Sequence, residues 1–124
     1  MLNFDYINNL NDKQKEAVTY LNGPLLIVAG AGSGKTKVLT SRICHIILSK
    51  KADPSEILAV TFTNKAASEM RNRILFNLKK KNFGMPWVGT FHAICVKILR
   101  KHARAANLNY NFTILDQEDQ KKLI

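Results

Sequence analysis

Cysteine is scarce in this chain, which has two, Cys44 and Cys95. Neither belongs to a CxxC pair or a His/Cys cluster, so neither a disulfide framework nor a thiolate metal site organises the fold. Both fall in apolar stretches with helical spacing, and both are expected as small buried residues in a reducing compartment. No apolar run is long enough to cross a bilayer. The amino terminus, Met1 to Asn9, lacks the basic start and apolar run of a signal peptide. The expected location is the cytoplasm, with no membrane partner. No internal repeat or low-complexity segment appears. Acidic residues are few, 9 Asp and Glu against 19 Lys and Arg, which leaves a formal charge of +10 on 124 residues. That excess favours a polyanionic partner, chiefly nucleic acid, although solvated lysines alone would give the same sum. Apolar residues make up 46% of the chain, enough for a core in one compact domain or one lobe of a larger machine.

Apolar periodicity then orders the chain. Asn11 precedes a helix in which Gln14, Ala17, Val18 and Leu21 share a face, and Asn22-Gly23-Pro24 ends it. Leu25 to Ala29 is a short apolar run suited to a buried parallel strand. A glycine-rich turn follows, and from Gly34 a helix carries Val38, Leu39, Ile43, Ile46 and Ile47 toward a core. Ile57 to Phe62 has the character of a second strand. Asn64 to Leu78 is a helix with Ala67, Met70, Ile74 and Leu78 on one stripe. Trp87 to Thr90 is a brief third strand. Phe91 to Ala105 is a helix with Phe91, Ile94, Cys95 and Ile98 inward. Phe112 to Leu115 is a candidate fourth strand, and a helix starts at Asp116. Alternating strands and helices predict βαβ units around a parallel sheet with flanking helices. The turns after Ala29, Phe62 and Thr90 should then meet at one edge, where open α/β sheets bind ligands.

The turn after the first predicted strand reads Ala29-Gly30-Ala31-Gly32-Ser33-Gly34-Lys35-Thr36. It lies between a strand and a helix, as a Walker A loop must. Its glycines free the backbone so that amides can point inward at phosphate oxygens. The helix start adds the positive end of its dipole. Lys35 supplies a full charge to the β and γ phosphates, and Thr36 offers a hydroxyl to Mg²⁺. Lys35 and Thr36 are the candidate catalytic residues, ATP and Mg²⁺ the expected cofactors. Alanine at position 29 replaces the glycine of the strict pattern.

The surrounding segments resemble the motifs of UvrD/Rep/PcrA-type superfamily 1 DNA helicases. Leu10 to Val18 (LNDKQKEAV) is similar to their Q motif, and Gly23 to Val28 leading into the loop to motif I. Ala59 to Ala67 (AVTFTNKAA) is similar to motif Ia, and Gly89 to Cys95 (GTFHAIC) to motif Ib. The likeness covers nearly the whole chain in order. It implies an incomplete RecA-like P-loop NTPase lobe in an ATP-dependent 3′-to-5′ DNA helicase. Residues up to about 115 would belong to the ATP-binding portion and residues 116–124 would open the next subdomain. It also implies that Gln14 reads adenine. From the residues alone, Asn11 with Gln14 three positions on is equally a capping box. The resemblance further places Phe62, Thr63, Asn64 and Lys65, then Thr90, Phe91 and His92, on single-stranded DNA. By composition alone Phe62 would be a core residue and His92 a structural histidine. The implied partners are single-stranded DNA, duplex junctions and the remainder of a helicase chain with its second RecA-like lobe.

Lys97, Arg100, Lys101 and Arg104 form a basic stripe that reads as a solvated helix face. Hydrolysis also needs a Walker B carboxylate and arginine fingers, and none is convincingly placed. Phe112 to Gln117 imitates a Walker B run, but the resembling family carries a similar segment ahead of its next subdomain. The segment by itself is expected to hydrolyse ATP poorly. Two rivals stand beside the helicase reading. Another P-loop ATPase or kinase would leave the motif Ia and Ib segments unexplained. A non-catalytic nucleic-acid-binding module would leave the loop unexplained.

Overall fold

The computed structural model describes residues 5–28, 34–79, 84–109, 111–115 and 117–123. The chain divides into two compact units, Met1–Phe91 and His92–Ile124.

In the first unit, α1 (Asp5–Asn8) and α2 (Asp12–Thr19) precede the long α3 (Lys35–Leu48). A 3-10 turn (Pro54–Glu56) leads to β1 (Ala59–Thr61), α4 (Asn64–Asn77) and β2 (Val88–Thr90). Local chemistry sets the boundaries. Asn11 starts α2 by accepting the Gln14 N–H at 2.9 Å, while its own N–H donates to Gln14 Oε1 at 3.0 Å. This reciprocal capping box satisfies two orphan donors. Thr63 starts α4, its hydroxyl accepting the Ala66 N–H at 3.1 Å. Arg42 reaches from α3 to donate to the Ala17 carbonyl at 3.1 Å, satisfying the carboxyl end of α2.

β1 and β2 pair in parallel with Thr61 opposite Thr90, so their carboxyl ends are level. The Ala59 N–H donates to the Trp87 carbonyl at 3.0 Å. That phase turns the peptide groups of Val88 away from β1. There the Val88 N–H meets the Met85 carbonyl at 3.4 Å, and the Val88 carbonyl accepts from the Arg71 guanidinium. Helix α4 lies on both strands, and α3 packs between α2 and α4.

The core gathers Val18 from α2, Val38, Ile43 and Cys44 from α3, Met70 and Ile74 from α4, and Ala59 and Val88 from the strands. The stripe of Ala67, Met70, Ile74 and Leu78 is buried as its spacing predicts. Each large aliphatic removed from water there contributes about 1.5–3 kcal/mol. α1 had no periodicity to announce it. It is held by Tyr6, which is buried and hydrogen-bonded to His45 Nδ1 at 3.1 Å. Burial, with the Cys44 charge in second place, pushes the Tyr6 phenol up to about 12. Burial pushes the Cys44 thiol up to about 11 against the opposing Asn77 hydrogen bond, and it lowers His45.

In the second unit, which takes in α5 (Phe91–Lys101) from its second residue and α6 (Gln117–Leu123), Ile94 and Ala103 are buried. The Leu108 N–H donates to the Ala103 carbonyl at 2.8 Å as the chain leaves the helix. Arg100 lies over the Phe112 ring at 4.5 Å from its centroid, while Lys97, Lys101 and Arg104 are exposed.

Four expectations change. Residues 25–28 form no strand, and Leu26 and Val28 are 85% and 89% exposed. A buried strand needs a neighbour to complete its ladder, and among the described residues none pairs with this run. Ala29 lies outside the described residues. Phe112 to Leu115 is not a strand for the same reason. Cys95 is exposed where Cys44 is buried, because it falls beside the one buried turn of α5 rather than on it. Phe91 and Ile98 are also part-exposed, so the inward face of α5 narrows to Ile94. Leu39, expected toward the core with its α3 neighbours, is 40% exposed, since the covered side of α3 is centred on Thr40, Ser41 and Cys44.

Candidate nucleotide and nucleic-acid site

The loop residues Ala29, Gly30, Ala31, Gly32 and Ser33 lie outside the described residues. Gly34, Lys35 and Thr36 are described. Gly34 stands at the start of α3 with φ 82° and ψ 25°, a left-handed conformation that glycine adopts without strain. Unlike α2 and α4, α3 has no side-chain cap at its start. Gly34 has no side chain with which to cap the first amides of α3, and a helix start of this kind suits an anion. Lys35 and Thr36 are exposed beside them.

Gln14 comes to this same place. Its Nε2 lies 3.2 Å from the point where a Cβ on Gly34 would stand. Gln14 Oε1 serves the cap while its amine end lies near the α3 start. The capping box that the sequence offered as the alternative role of Gln14 is present. The three-residue interval between Asn11 and Gln14 was the signal.

At the carboxyl ends of the two strands a second feature forms. Phe62 follows β1 and Phe91 follows β2, each by one residue, and the level register sets them side by side. Their ring centroids are 5.1 Å apart with planes inclined by 36°. Phe62 is 90% exposed, so it is no core residue, and Phe91 is 47% exposed. The sequence pattern placed Phe62 inside its strand and Phe91 at a helix start, so the equal offset follows only from the observed strand ends. Thr63 is spent partly on the α4 cap, and Asn64 and Lys65 are exposed at the helix start. Thr90 is buried at the strand end. His92 is exposed and opens the second unit.

Among the described residues no group of three or more His, Cys, Asp or Glu could hold a metal ion. The oxygen offered to a hard cation near the α3 start is the exposed Thr36 hydroxyl, which fits Mg²⁺ shared with phosphates and water. No described helix is long and apolar enough to cross a membrane.

The first unit is a mixed helix and strand body with a small parallel sheet, compatible with an incomplete α/β lobe. Residues 10–124 match the family described as UvrD/REP helicase N-terminal domain, and the chain belongs to that family. It is 50% identical to the ATP-dependent DNA helicase PcrA of Staphylococcus epidermidis over 95% of this chain and 16% of that protein. It is 53% identical to the protein of the same name from Leuconostoc citreum, over 94% and 16%. The Staphylococcus aureus protein of that name is 49% identical over 95% and 16%. The chain therefore spans about a sixth of the length of the relatives it matches.

Proposed function

We propose that this chain is the ATP-binding and single-stranded-DNA-contacting part of an ATP-dependent 3′-to-5′ DNA helicase. In this reading it is the front of a RecA-like P-loop NTPase lobe, with residues 116–124 opening the next subdomain. Backbone amides of residues 29–34 and the α3 start cradle the phosphates, Lys35 neutralises the β and γ oxygens, and Gln14 reads adenine. Thr36 would hold Mg²⁺ through its hydroxyl, and the ion would supply charge neutralisation for phosphoryl transfer. The carboxylate and arginines that complete hydrolysis come from the remainder of the helicase chain and its second lobe. The whole protein works in the cytoplasm on single strands and duplex junctions.

One observation carries the DNA half and separates a helicase from another ATP user: the exposed Phe62–Phe91 pair at the level ends of two parallel strands. An aromatic left in water beside basic and hydroxyl side chains suits sequence-tolerant base stacking. A kinase has no use for it. The relatives' name, ATP-dependent DNA helicase, supports the same reading. The test is ATP hydrolysis by the full-length protein with and without single-stranded DNA. DNA should stimulate the rate, and its binding should weaken with salt at a log–log slope of about −0.7 per phosphate contact. Salt-independent or absent DNA binding by the folded protein would remove the proposal.

A further inference from the structure

We infer that a groove between α1, α3 and α4 is a docking site for an acidic segment of a partner protein, which sets an apolar side chain against Phe76 and carboxylates against the cations around it. The groove is separate from the proposed nucleotide and DNA sites, and the inference does not rest on them.

The groove has a volume of about 650 Å³ and lies wholly within the first unit. Helical spacing builds its α4 wall. Asn72 and Arg73 stand four and three residues before Phe76, so the three share one side of the helix. Phe76 falls two residues after Ile74, which turns it away from the buried stripe, and it is 82% exposed. A lone apolar residue in water is ordinary. Phe76 differs because it lines a concave surface that also holds three cations.

Those cations are Lys37 from α3, Arg73 from α4 and Lys79 just past the end of α4. Lys37 Nζ donates to the Asn9 carbonyl at 3.0 Å, which ties its charge to the end of α1. That bond uses one of the three ammonium hydrogens. Lys79 has φ 54°, the left-handed conformation that glycine usually supplies after a helix. Its Nζ lies 3.9 Å from the Asp5 carboxylate, and both side chains are well exposed, so this pair adds little to folding. Glycine would suit the backbone there better, yet the position carries a charge at the groove's rim.

The occupant follows from these groups. Three cations against the single carboxylate of Asp5 call for an anionic partner. The exposed ring calls for an apolar group among the charges. A phosphodiester strand repeats its charge at every nucleotide and would carry phosphate past Asp5. A peptide can set carboxylates at the cations and a neutral residue beside Asp5. The groove also lies off the proposed DNA path, because Phe76 is roughly 16 Å along α4 from Lys65 at about 1.5 Å per residue.

The test uses the full-length protein and a fluorescein-labelled peptide with a central leucine–phenylalanine pair flanked on both sides by glutamates. Fluorescence anisotropy should show binding that weakens as salt rises. Phe76→Ala and Arg73→Glu should each lower the affinity by about tenfold. Both positions are exposed, so unfolding temperatures should match wild type. Lys79→Gly separates charge from structure: glycine relieves the left-handed backbone, so the unfolding temperature should hold or rise while peptide affinity falls. DNA-stimulated ATP hydrolysis should be unchanged in all three variants, and oligothymidylate should not displace the peptide. Absence of peptide binding by the folded protein overturns the inference, as does wild-type affinity in Phe76→Ala and Arg73→Glu. Equal binding of a peptide with lysines in place of the glutamates also overturns it. Displacement by oligothymidylate, or loss of DNA stimulation in the variants, would assign the groove to nucleic acid and likewise refute a protein partner.

Discussion

The rings of Phe62 and Phe91 stand 5.1 Å apart at the ends of two adjacent parallel strands, the first 90% and the second 47% exposed. Because Phe62 buries so little, its removal should leave stability within about 0.5 kcal/mol of wild type. Stacking on a base contributes about 1–3 kcal/mol. Phe62→Ala in the full-length protein should therefore weaken single-stranded DNA binding by about 5- to 150-fold, measured by fluorescence anisotropy. The Phe91→Ala change should be less than additive with it, since the rings touch. Wild-type affinity in Phe62→Ala would take the aromatic pair off the DNA path.

The α3 start makes a second prediction. Gly34→Ala places a side chain at φ 82° and within 3.2 Å of Gln14 Nε2. The left-handed backbone costs about 1–2 kcal/mol for a residue with a Cβ, and the Gln14 amide must move aside. Nucleotide affinity should fall along with a drop in unfolding temperature. Lys35→Ala removes charge without touching the backbone, so it should lower ATP affinity by about 10- to 100-fold at unchanged stability. Titration with an ATP analogue, alongside thermal melts, separates these two signatures. Unaltered ATP affinity in Lys35→Ala would mean that the loop is idle.

Helix α4 depends on Thr63, whose hydroxyl caps it at 3.1 Å. Thr63→Ala should cost about 1 kcal/mol of stability and Thr63→Ser should restore it. Urea denaturation reads both. A neutral alanine variant would show that the cap is dispensable.

Stability should also vary with pH on both flanks. Cys44 and Tyr6 are raised to about 11 and about 12 from ordinary values of 9.0 and 10.0. The folded state holds protons that the unfolded chain releases, so the contribution is full below those ordinary values. It is lost as pH climbs through the folded ones. His45 is lowered from 6.5, so the unfolded state takes up a proton first and stability declines as pH falls below that value. Urea midpoints should peak between these flanks. Tyr6→Phe, which keeps the ring, should flatten the alkaline limb, and an equally steep limb in that variant would assign it elsewhere.

What the sequence revealed was mostly local. The stripe of Ala67, Met70, Ile74 and Leu78 and the start of α2 at Asn11 needed only periodicity and a cap, and both are present. The run of Leu25 to Val28 has the composition of a buried strand, yet burial depends on partners distant in sequence, and Leu26 remains in water. The same holds for Cys95 and Ile98, whose apolar face on α5 is only partly covered. Tyr6 and His45 are separated by most of the first three helices, and nothing local announces their hydrogen bond. At the candidate site, the residue types were legible, but the side-by-side aromatics and the direction of the Gln14 amide came from strand register and a reciprocal cap.

The engagement of Val88 by Met85 and Arg71 limits how this sheet can widen. The outward peptide groups of Val88 are already engaged, so a strand added beside β2 would have to displace them. A parallel strand added beside β1 instead would bring its own carboxyl-terminal turn next to Phe62. In the broader sheet Phe91 would then be the outermost aromatic, at the rim, and Phe62 would face the interior of the binding edge.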